Sequence, residues 1–204
     1  MKTLFISTRI KSSVNKSKIL EVSKKLPENI AIVYSIQYED IATEVKSILL
    51  KNHKITKLMQ VLGCSKLNFS RNTNAILLIG SGKFHAISLA FETKLPVYIL
   101  EKNHLEKISK EDVGIFEKKQ KAAYVKFLNS DKIGILISTK PGQQNLKKAL
   151  DFKKSMSNKK PYLFIANNIN TNEFQNFGLT SWVNTACPRL DMESSSIINI
   201  NKVK

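Results

Sequence analysis

Two cysteine residues are the side chains of this sequence best suited to chemistry. Cys64 and Cys187 lie 123 residues apart, and each follows a strand-like apolar run at the point where a turn should begin. Parallel sheets assemble their binding sites in the crevice outside the carboxyl ends of the strands. We therefore predict that the two thiols, from separate α/β units, converge on one centre. Free cysteine is also among the most buried residue types, so inert packing in the core is the alternative for each.

A glycine-rich turn follows the apolar run Ile76–Ile79 and leads into a predicted helix. Gly80, Ser81 and Gly82 would let backbone amides approach a ligand, and the start of a helix carries partial positive charge that suits a carboxylate or phosphate. His85 lies in the first turn of this helix. The turn lacks the third glycine of a dinucleotide fingerprint and the Lys-Ser/Thr of a Walker loop, so NAD or ATP binding is not indicated. An ordinary tight turn and a solvated histidine are the alternatives.

A matching loop follows the apolar run 133–138 in the second half of the chain. Thr139 and Gln143 in this loop have polar groups that suit a ligand, although such residues also serve as ordinary caps and turns. The sequence contains no His-x-x-x-His, no Cys-x-x-Cys and no Gly-x-Ser-x-Gly. Zinc-dependent hydrolysis and a serine triad therefore have no support.

The elements that must position these residues follow a repeating pattern. Short runs rich in Ile, Val and Leu alternate with amphipathic stretches, which is typical of βα units on a parallel sheet. The predicted strands are 1–7, 30–35, 75–80, 96–100, 133–138, 162–166 and 181–186. The predicted helices are 39–49, 84–91, 105–129 with an interruption at Gly114, and 143–156. The predicted fold class is α/β, with two repeated small parallel-sheet βα domains flanked by helices.

Three segments are predicted along the chain. Residues 1–26 form a remnant βα unit of an upstream repeat, because a lone βα unit cannot bury both faces of a sheet. Residues 27–103 form the α/β repeat that carries Cys64, and residues 104–204 form the repeat that carries Cys187.

The composition favours a soluble, cytoplasmic protein. No apolar stretch approaches the length of a membrane span, no signal-peptide cleavage pattern is present, and two cysteines do not suggest a disulfide framework. The net charge is +17, from 33 Lys+Arg against 16 Asp+Glu, and such a field attracts nucleic acid or acidic proteins. The lysines are scattered along helix faces without an RNA-binding signature, so we expect no direct contact with nucleic acid.

Four segments carry a resemblance to a known family. They are Gln60-Val-Leu-Gly-Cys64, Ile79-Gly-Ser-Gly-Lys-Phe-His85, Gly134-Ile-Leu-Ile-Ser-Thr-Lys-Pro-Gly-Gln143 and Ala186-Cys-Pro-Arg-Leu-Asp191. Their order resembles the archaeal 2-(3-amino-3-carboxypropyl)histidine synthase family of diphthamide biosynthesis, over residues 30–191. The resemblance implies three α/β repeats that each donate one cysteine to a 4Fe-4S cluster, whose unique iron engages S-adenosylmethionine.

The resemblance also implies a reaction. Reductive cleavage of a carbon–sulfur bond of S-adenosylmethionine would yield a 3-amino-3-carboxypropyl radical, which adds to a histidine of translation elongation factor two. Cys64 and Cys187 are the implied metal ligands. The residues implied to face S-adenosylmethionine are Gly80, Ser81, Gly82, His85, Thr139 and Gln143.

The sequence departs from the family in its first repeat: residues 1–26 resemble only the last βα unit of that repeat, and its cysteine is missing. Two thiolates would leave two irons of a cluster without protein ligands. We therefore expect a homo- or hetero-oligomer in which another chain supplies the first repeat and the third cysteine. Two alternatives remain open: a non-catalytic scaffold or electron-relay partner of a complete paralogue, and a basic α/β module that binds ribosomal RNA.

Overall fold

A mostly parallel five-stranded sheet and a parallel four-stranded sheet, each accompanied by helices, organise the chain. The computed structural model describes residues 4, 6–11, 13–62 and 67–203. The chain divides into two compact units, Met1–Val113 and Gly114–Lys204. This architecture confirms the predicted α/β class.

The first unit contains a five-stranded sheet and three helices. The helices are α1 (Lys16–Ser23), α2 (Glu39–Leu49) and α3 (Lys83–Thr93). The strands are β1 (Asn29–Tyr34), β2 (Lys54–Gln60), β3 (Ala75–Ile79), β4 (Val97–Glu101) and β5 (His104–Lys107), in the order β2-β1-β3-β4-β5 across the sheet. The first four strands run parallel, and β5 pairs antiparallel with β4.

Burial on both faces explains the apolar runs of this sheet. Strand β3 is buried along its whole length, and β1 is buried at its four central residues, as expected for parallel strands covered by helices. Helices α1 and α2 pack on one face of the sheet and α3 packs on the other. Helix α2 buries a stripe at helical spacing, formed by Ala42, Val45, Ile48 and Leu49.

The amino-terminal segment differs from its prediction. Residues 1–3 and 5 lie outside the described residues, and the described residues from 4 to 11 form neither helix nor strand. Arg9 instead pairs with the carboxylates of Glu39 and Asp40, at 2.5 and 2.9 Å. The Ile10 amide also donates a hydrogen bond to the Gln37 carbonyl. Hydrogen bonds and ion pairs to the start of α2 therefore hold this segment in place of strand pairing.

The second unit contains a four-stranded parallel sheet. Its elements are α4 (Lys110–Asn129), β6 (Lys132–Ser138), α5 (Leu146–Ser155), β7 (Lys160–Ala166), β8 (Trp182–Asn184), α6 (Leu190–Glu193) and β9 (Ile197–Asn199). The strand order is β7-β6-β8-β9. Short 3₁₀ turns occupy Ile36–Tyr38, Thr171–Phe177 and Ile200–Lys202 in the two units.

One prediction about the middle of the chain, the interruption of a helix at Gly114, is wrong. Helix α4 continues through Gly114 without the predicted interruption. The boundary between the two units falls within this helix, after Val113. The first compact unit extends to Val113, because β5 pairs with β4, and the repeat boundary near Asn103 stays a prediction. The origin of residues 1–26 in an upstream repeat stays a prediction.

The two faces of the second sheet are covered differently. Helices α4 and α5 cover one face, where Phe127 and Ala149 pack against Ile135 and Val183. The other face is covered by the 3₁₀ turn Thr171–Phe177 and by α6. Among the helices that the structure describes, none combines the length and apolar character of a membrane span.

Candidate functional site

A cleft in the second unit is the strongest candidate site. It has a volume of about 270 Å³ and lies at the carboxyl ends of the neighbouring strands β6, β7 and β8. This edge of a parallel sheet is where such folds place their ligands. The lining residues come from the loops after these strands and from α6, and they are Ser138, Lys140, Gln143, Asn167, Ile169, Ala186, Cys187, Arg189, Leu190 and Glu193.

Cys187 lies in the loop between β8 and α6. It is a free cysteine and its side chain is half-buried. The backbone carbonyl of Cys187 accepts two hydrogen bonds, from the Asn184 side-chain amide at 2.9 Å and from the Leu190 amide at 3.1 Å. These bonds fix the backbone at Cys187 and leave its thiol at the cleft.

Asn184, the last residue of β8, is fully buried beneath this loop. Its amide nitrogen donates to the Cys187 carbonyl and also to the Asp191 carboxylate, at 2.7 Å. Its amide oxygen accepts from the Ala186 amide at 2.8 Å, which turns the chain directly after the strand. One side chain therefore connects both ends of the Cys187 loop.

Asp191 is a buried carboxyl group, 3% exposed. Burial raises its pKa to about 6, while hydrogen bonds from Asn184 and Asn199 and the charge of Lys202 oppose the shift. Its backbone carbonyl accepts a hydrogen bond from Gln120 of α4 at 3.2 Å. The start of α6 is therefore tied both to β8 and to α4.

The loop after β6 forms the opposite wall of the cleft. The buried Ser138 hydroxyl accepts from the Lys140 amide at 3.1 Å, and Gln143 lines the cleft. Thr139 is exposed and does not line the cleft; its hydroxyl donates to the Asn167 side-chain oxygen at 3.5 Å. The structure thus brings Gln143 together with Cys187 in one cleft and leaves Thr139 at its margin.

The predicted glycine-rich turn lies in the first unit, at the carboxyl end of β3. Gly80 is buried, and a Cβ at this position would contact the Ser35 hydroxyl at 3.5 Å. Gly82 has φ of 80° and directly precedes α3, where no side chain caps the helix. His85 is half-buried, with its ring 4.8 Å from that of Phe84. The exposed Ser81 and Gly82 leave the start of α3 accessible.

An ion pair lies next to this turn. Lys83, the first residue of α3, pairs with Glu106 at 2.7 Å and with Asp112 at 3.8 Å. The hydrogen bond to Glu106 and the charges of both carboxylates raise the pKa of Lys83. A separate apolar cavity of about 170 Å³ lies under the amino-terminal segment and contains none of the predicted site residues.

Cys64 falls on residues 63–66, which lie outside the described part of the chain. Strand β2 ends at Gln60, and the Val61 amide donates to the carbonyl of Tyr34, the last residue of β1. The chain therefore leaves β2 at the carboxyl edge of the first sheet. A centre shared by Cys64 and Cys187 stays a prediction.

Sequence reasoning did not single out Asn184 and Asp191 as members of the site. The available signal was a polar residue at the end of the apolar strand β8, followed seven residues later by an acid in the Cys187 motif. Within the described ranges, His, Cys, Asp and Glu form no group of three or more that could hold a metal ion. Cys187 is the one cysteine among the described residues.

Comparison with protein families identifies the class of protein. The family model described as "Putative diphthamide synthesis protein" matches residues 1–196. The chain belongs to this diphthamide synthesis family.

Two archaeal relatives carry the name 2-(3-amino-3-carboxypropyl)histidine synthase. The protein from Pyrococcus horikoshii is 28% identical over 206 residues, which cover 94% of this chain and 60% of the relative. The protein from Methanocaldococcus jannaschii is 27% identical over 208 residues, which cover 95% of this chain and 57% of the relative. The chain thus spans less than two thirds of the length of these relatives.

Two crystal structures of Dph2 from Pyrococcus horikoshii share the fold. One matches with a TM-score of 0.74 and 22% identity, over 91% of this chain and 60% of the other. The second, described as containing a 4Fe-4S cluster, matches with a TM-score of 0.73 and 23% identity over the same shares of the two chains. These matches support the architecture described above.

Proposed function

We propose that this chain acts in the first step of diphthamide biosynthesis. The reaction is transfer of the 3-amino-3-carboxypropyl group from S-adenosylmethionine to a histidine of translation elongation factor two. The observation that carries this proposal is the free Cys187, held by a hydrogen-bonded loop at a cleft where three parallel strands end. Membership of the diphthamide synthesis family supplies the chemical context.

The donor set of the chain fits part of a 4Fe-4S site. Such clusters are held by cysteine thiolates, and this chain has two cysteines. Cys187 suits the role because it is free, half-buried and faces a cleft. Cys64 is the second proposed ligand, and a cysteine from a partner chain is the third. A homo- or hetero-oligomer follows from this division of ligands.

The remaining proposed site residues would bind and orient S-adenosylmethionine. A reduced 4Fe-4S cluster supplies the electron that cleaves the carbon–sulfur bond of a sulfonium. The Gln143 amide can hold polar groups of the ligand within the cleft, with the Thr139 hydroxyl at its margin. The amides at the start of α3, after Gly80, Ser81 and Gly82, suit a carboxylate, and His85 offers a further polar contact. We place this chemistry in the cytoplasm.

A second candidate function is a non-catalytic scaffold or electron-relay partner of a complete paralogue. One observation favours it: the chain has two cysteines, fewer than the three that the family resemblance implies for the cluster. Such a subunit would retain the fold and share cluster ligands without cleaving S-adenosylmethionine.

Anaerobic reconstitution with iron and sulfide separates the two functions. The purified chain is reconstituted alone and with a cysteine-bearing partner, and the products are compared by absorption, electron paramagnetic resonance and cleavage of S-adenosylmethionine. We expect the chain alone to bind iron substoichiometrically or to lose it quickly, and cleavage to appear only with the partner. Cys187→Ser should abolish cleavage. Ser181→Ala is the control and should retain cleavage, because Ser181 precedes β8 whereas Cys187 follows it.

Three outcomes would contradict the proposal in different ways. Failure of every combination to retain iron would exclude a cluster. A stable cluster without cleavage in any combination would favour the electron-relay function. Robust turnover by the chain alone would show that no partner cysteine is required.

A further inference from the structure

The side-chain amide of Asn184 makes three hydrogen bonds to the segment that carries Cys187. A neutral amide group offers two N–H donors and an acceptor oxygen. The donors serve the Cys187 carbonyl at 2.9 Å and the Asp191 carboxylate at 2.7 Å, and the oxygen accepts from the Ala186 amide at 2.8 Å. These three contacts lie before, at and after Cys187 along the chain.

Asn184 is fully buried, so its polar side chain costs free energy unless its hydrogen bonds are made. It ends the strand Trp182–Asn184, whose three residues are all buried. A buried amide is tolerated only where its hydrogen bonds are satisfied, and an apolar residue would suit a strand interior better. None of the three bonds joins Asn184 to a neighbouring strand, so sheet formation does not explain the residue.

The neighbouring Thr185 offers a contrast. Its hydroxyl donates to the Leu136 carbonyl of β6 at 2.7 Å, and its side chain is also buried. Thr185 thus fastens the end of β8 to the sheet, while Asn184 fastens the Cys187 loop to the end of β8. Two adjacent buried polar residues therefore hold different parts of the structure.

The far end of the loop is anchored separately. The Asp191 amide donates to the Pro188 carbonyl, and the Asp191 carbonyl accepts from Gln120 at 3.2 Å. Lys202 in turn donates to the Gln120 side-chain oxygen at 3.1 Å. Gln120 of α4 thus holds the backbone of Asp191, and Lys202 holds the Gln120 side chain in turn. The hydrogen bond from Asn184 to the Asp191 carboxylate therefore connects the loop to a residue that is itself anchored.

We propose that Asn184 is a positioning residue that fixes the backbone of Cys187 and thereby the direction in which its thiol faces the cleft. This role rests on the proposed function insofar as the thiol binds a metal cluster. Residues that hold a metal ligand in place typically contribute about 10- to 100-fold to metal affinity. Asn184 would hold Cys187 in place in this way, through hydrogen bonds between its side chain and the backbone of the loop.

Alkylation of the apoprotein tests the positioning role directly. In a Cys64→Ser background, Cys187 is the one thiol of the chain, and its reaction with iodoacetamide is followed by mass spectrometry. Asn184→Ala should accelerate alkylation about fivefold, the factor that one hydrogen bond of ordinary strength contributes to a local equilibrium. Thr185→Val is the matched control, because it removes a buried hydrogen bond to β6 that involves neither Cys187 nor Asp191.

A second variant keeps the test decisive if Asn184→Ala fails to fold. Asn184→Ser replaces the two N–H donors by the single O–H donor of a shorter side chain, so it cannot make all three hydrogen bonds and should accelerate alkylation by a similar factor. Circular dichroism and urea unfolding report on the fold of each variant. Equal alkylation rates in Asn184→Ser, Thr185→Val and the parent protein would overturn the proposal.

Iron retention separates this proposal from the proposed function. Protein reconstituted with iron and sulfide is challenged with a chelator, and the loss of cluster absorption is timed. Asn184→Ala should lose iron about tenfold faster than Thr185→Val, consistent with the usual effect of such residues on metal affinity. If Cys187→Ser retains iron as well as the parent, the proposed function fails while alkylation still decides the role of Asn184. If Cys187→Ser loses iron but Asn184→Ala matches Thr185→Val in both assays, only the positioning role is overturned.

Discussion

The indole ring of Trp182 lies directly over the backbone of Gly134. The two residues are opposite each other in the paired strands β8 and β6. A Cβ built on Gly134 would lie 2.2 Å from Cε3 of the ring. Trp182 is 1% exposed, and Phe174 stacks against its ring with centroids 4.1 Å apart. The missing side chain at Gly134 therefore makes room for the largest residue of this core.

Replacing this glycine should destabilise the second unit. Gly134→Ala forces the Trp182 ring or the strand to shift, and overpacking of this kind costs about 1–3 kcal/mol or more. Gly114→Ala is the control, because Gly114 lies in helix α4 with nothing within 4 Å of an added Cβ. That change should stabilise the protein by about 0.5–1 kcal/mol. Urea unfolding of both variants checks the prediction, and equal effects would contradict it.

Asp191 should make stability fall as the pH rises from about 4 to 6. Its pKa is raised by burial from an ordinary 3.8 to about 6, so the folded state binds the proton more tightly than the unfolded state. Below this range the carboxyl is protonated in both states, and above it folding carries the full cost of the buried charge. The loss is about 3 kcal/mol, from 1.36 kcal/mol for each pKa unit.

Asp191→Asn should remove this pH dependence, whatever its effect on absolute stability. The free energy of unfolding is measured by urea titration at several pH values between 4 and 7 for the parent and the variant. The difference between the two proteins should change in favour of the variant as the pH rises. A constant difference across the range would show that the Asp191 pKa is not raised in the folded protein.

The elements best predicted from the sequence are those with a local signal. Helix α2 has the predicted bounds, Glu39–Leu49, because its apolar residues recur at helical spacing on a single buried face. Strand β1 also lies within one residue of its prediction, since it is an uninterrupted apolar run. In both segments the pattern of apolar residues over about ten consecutive positions is enough to indicate the secondary structure.

The elements that were missed depend on distant partners. Strand β5 has the polar sequence His-Leu-Glu-Lys and exists because it pairs with β4, so it was predicted as the start of a helix. Strand β2, at the sheet edge, carries lysines and is only partly buried. The site shows the same limit: the Cys187 motif was recognised, but the contact of Asn184 with Asp191 arises from the return of the chain into α6.

The last prediction concerns Gly82 and the binding of S-adenosylmethionine. Gly82 has φ of 80° and an added Cβ would meet nothing within 4 Å, so a side chain here acts through the backbone alone. Gly82→Val should cost about 1–3 kcal/mol of stability, because a φ of 80° with a ψ of 145° is a backbone conformation almost confined to glycine. It should also displace the amides that start α3, which are the proposed contacts of the ligand carboxylate, and weaken binding about tenfold.

Gly178 provides a matched control for this strain. It has φ of 62°, with nothing within 4 Å of an added Cβ, and it lies at the end of a 3₁₀ turn in the second unit and is not one of the proposed ligand contacts. Gly178→Val should lose about 1–2 kcal/mol of stability, because Gly178 has the left-handed conformation, and it should retain the parent affinity in anaerobic calorimetry. If both variants bind S-adenosylmethionine as tightly as the parent, the turn at Gly82 does not contact this ligand. If both lose affinity equally, general destabilisation explains the effect and the proposed role of Gly82 is wrong.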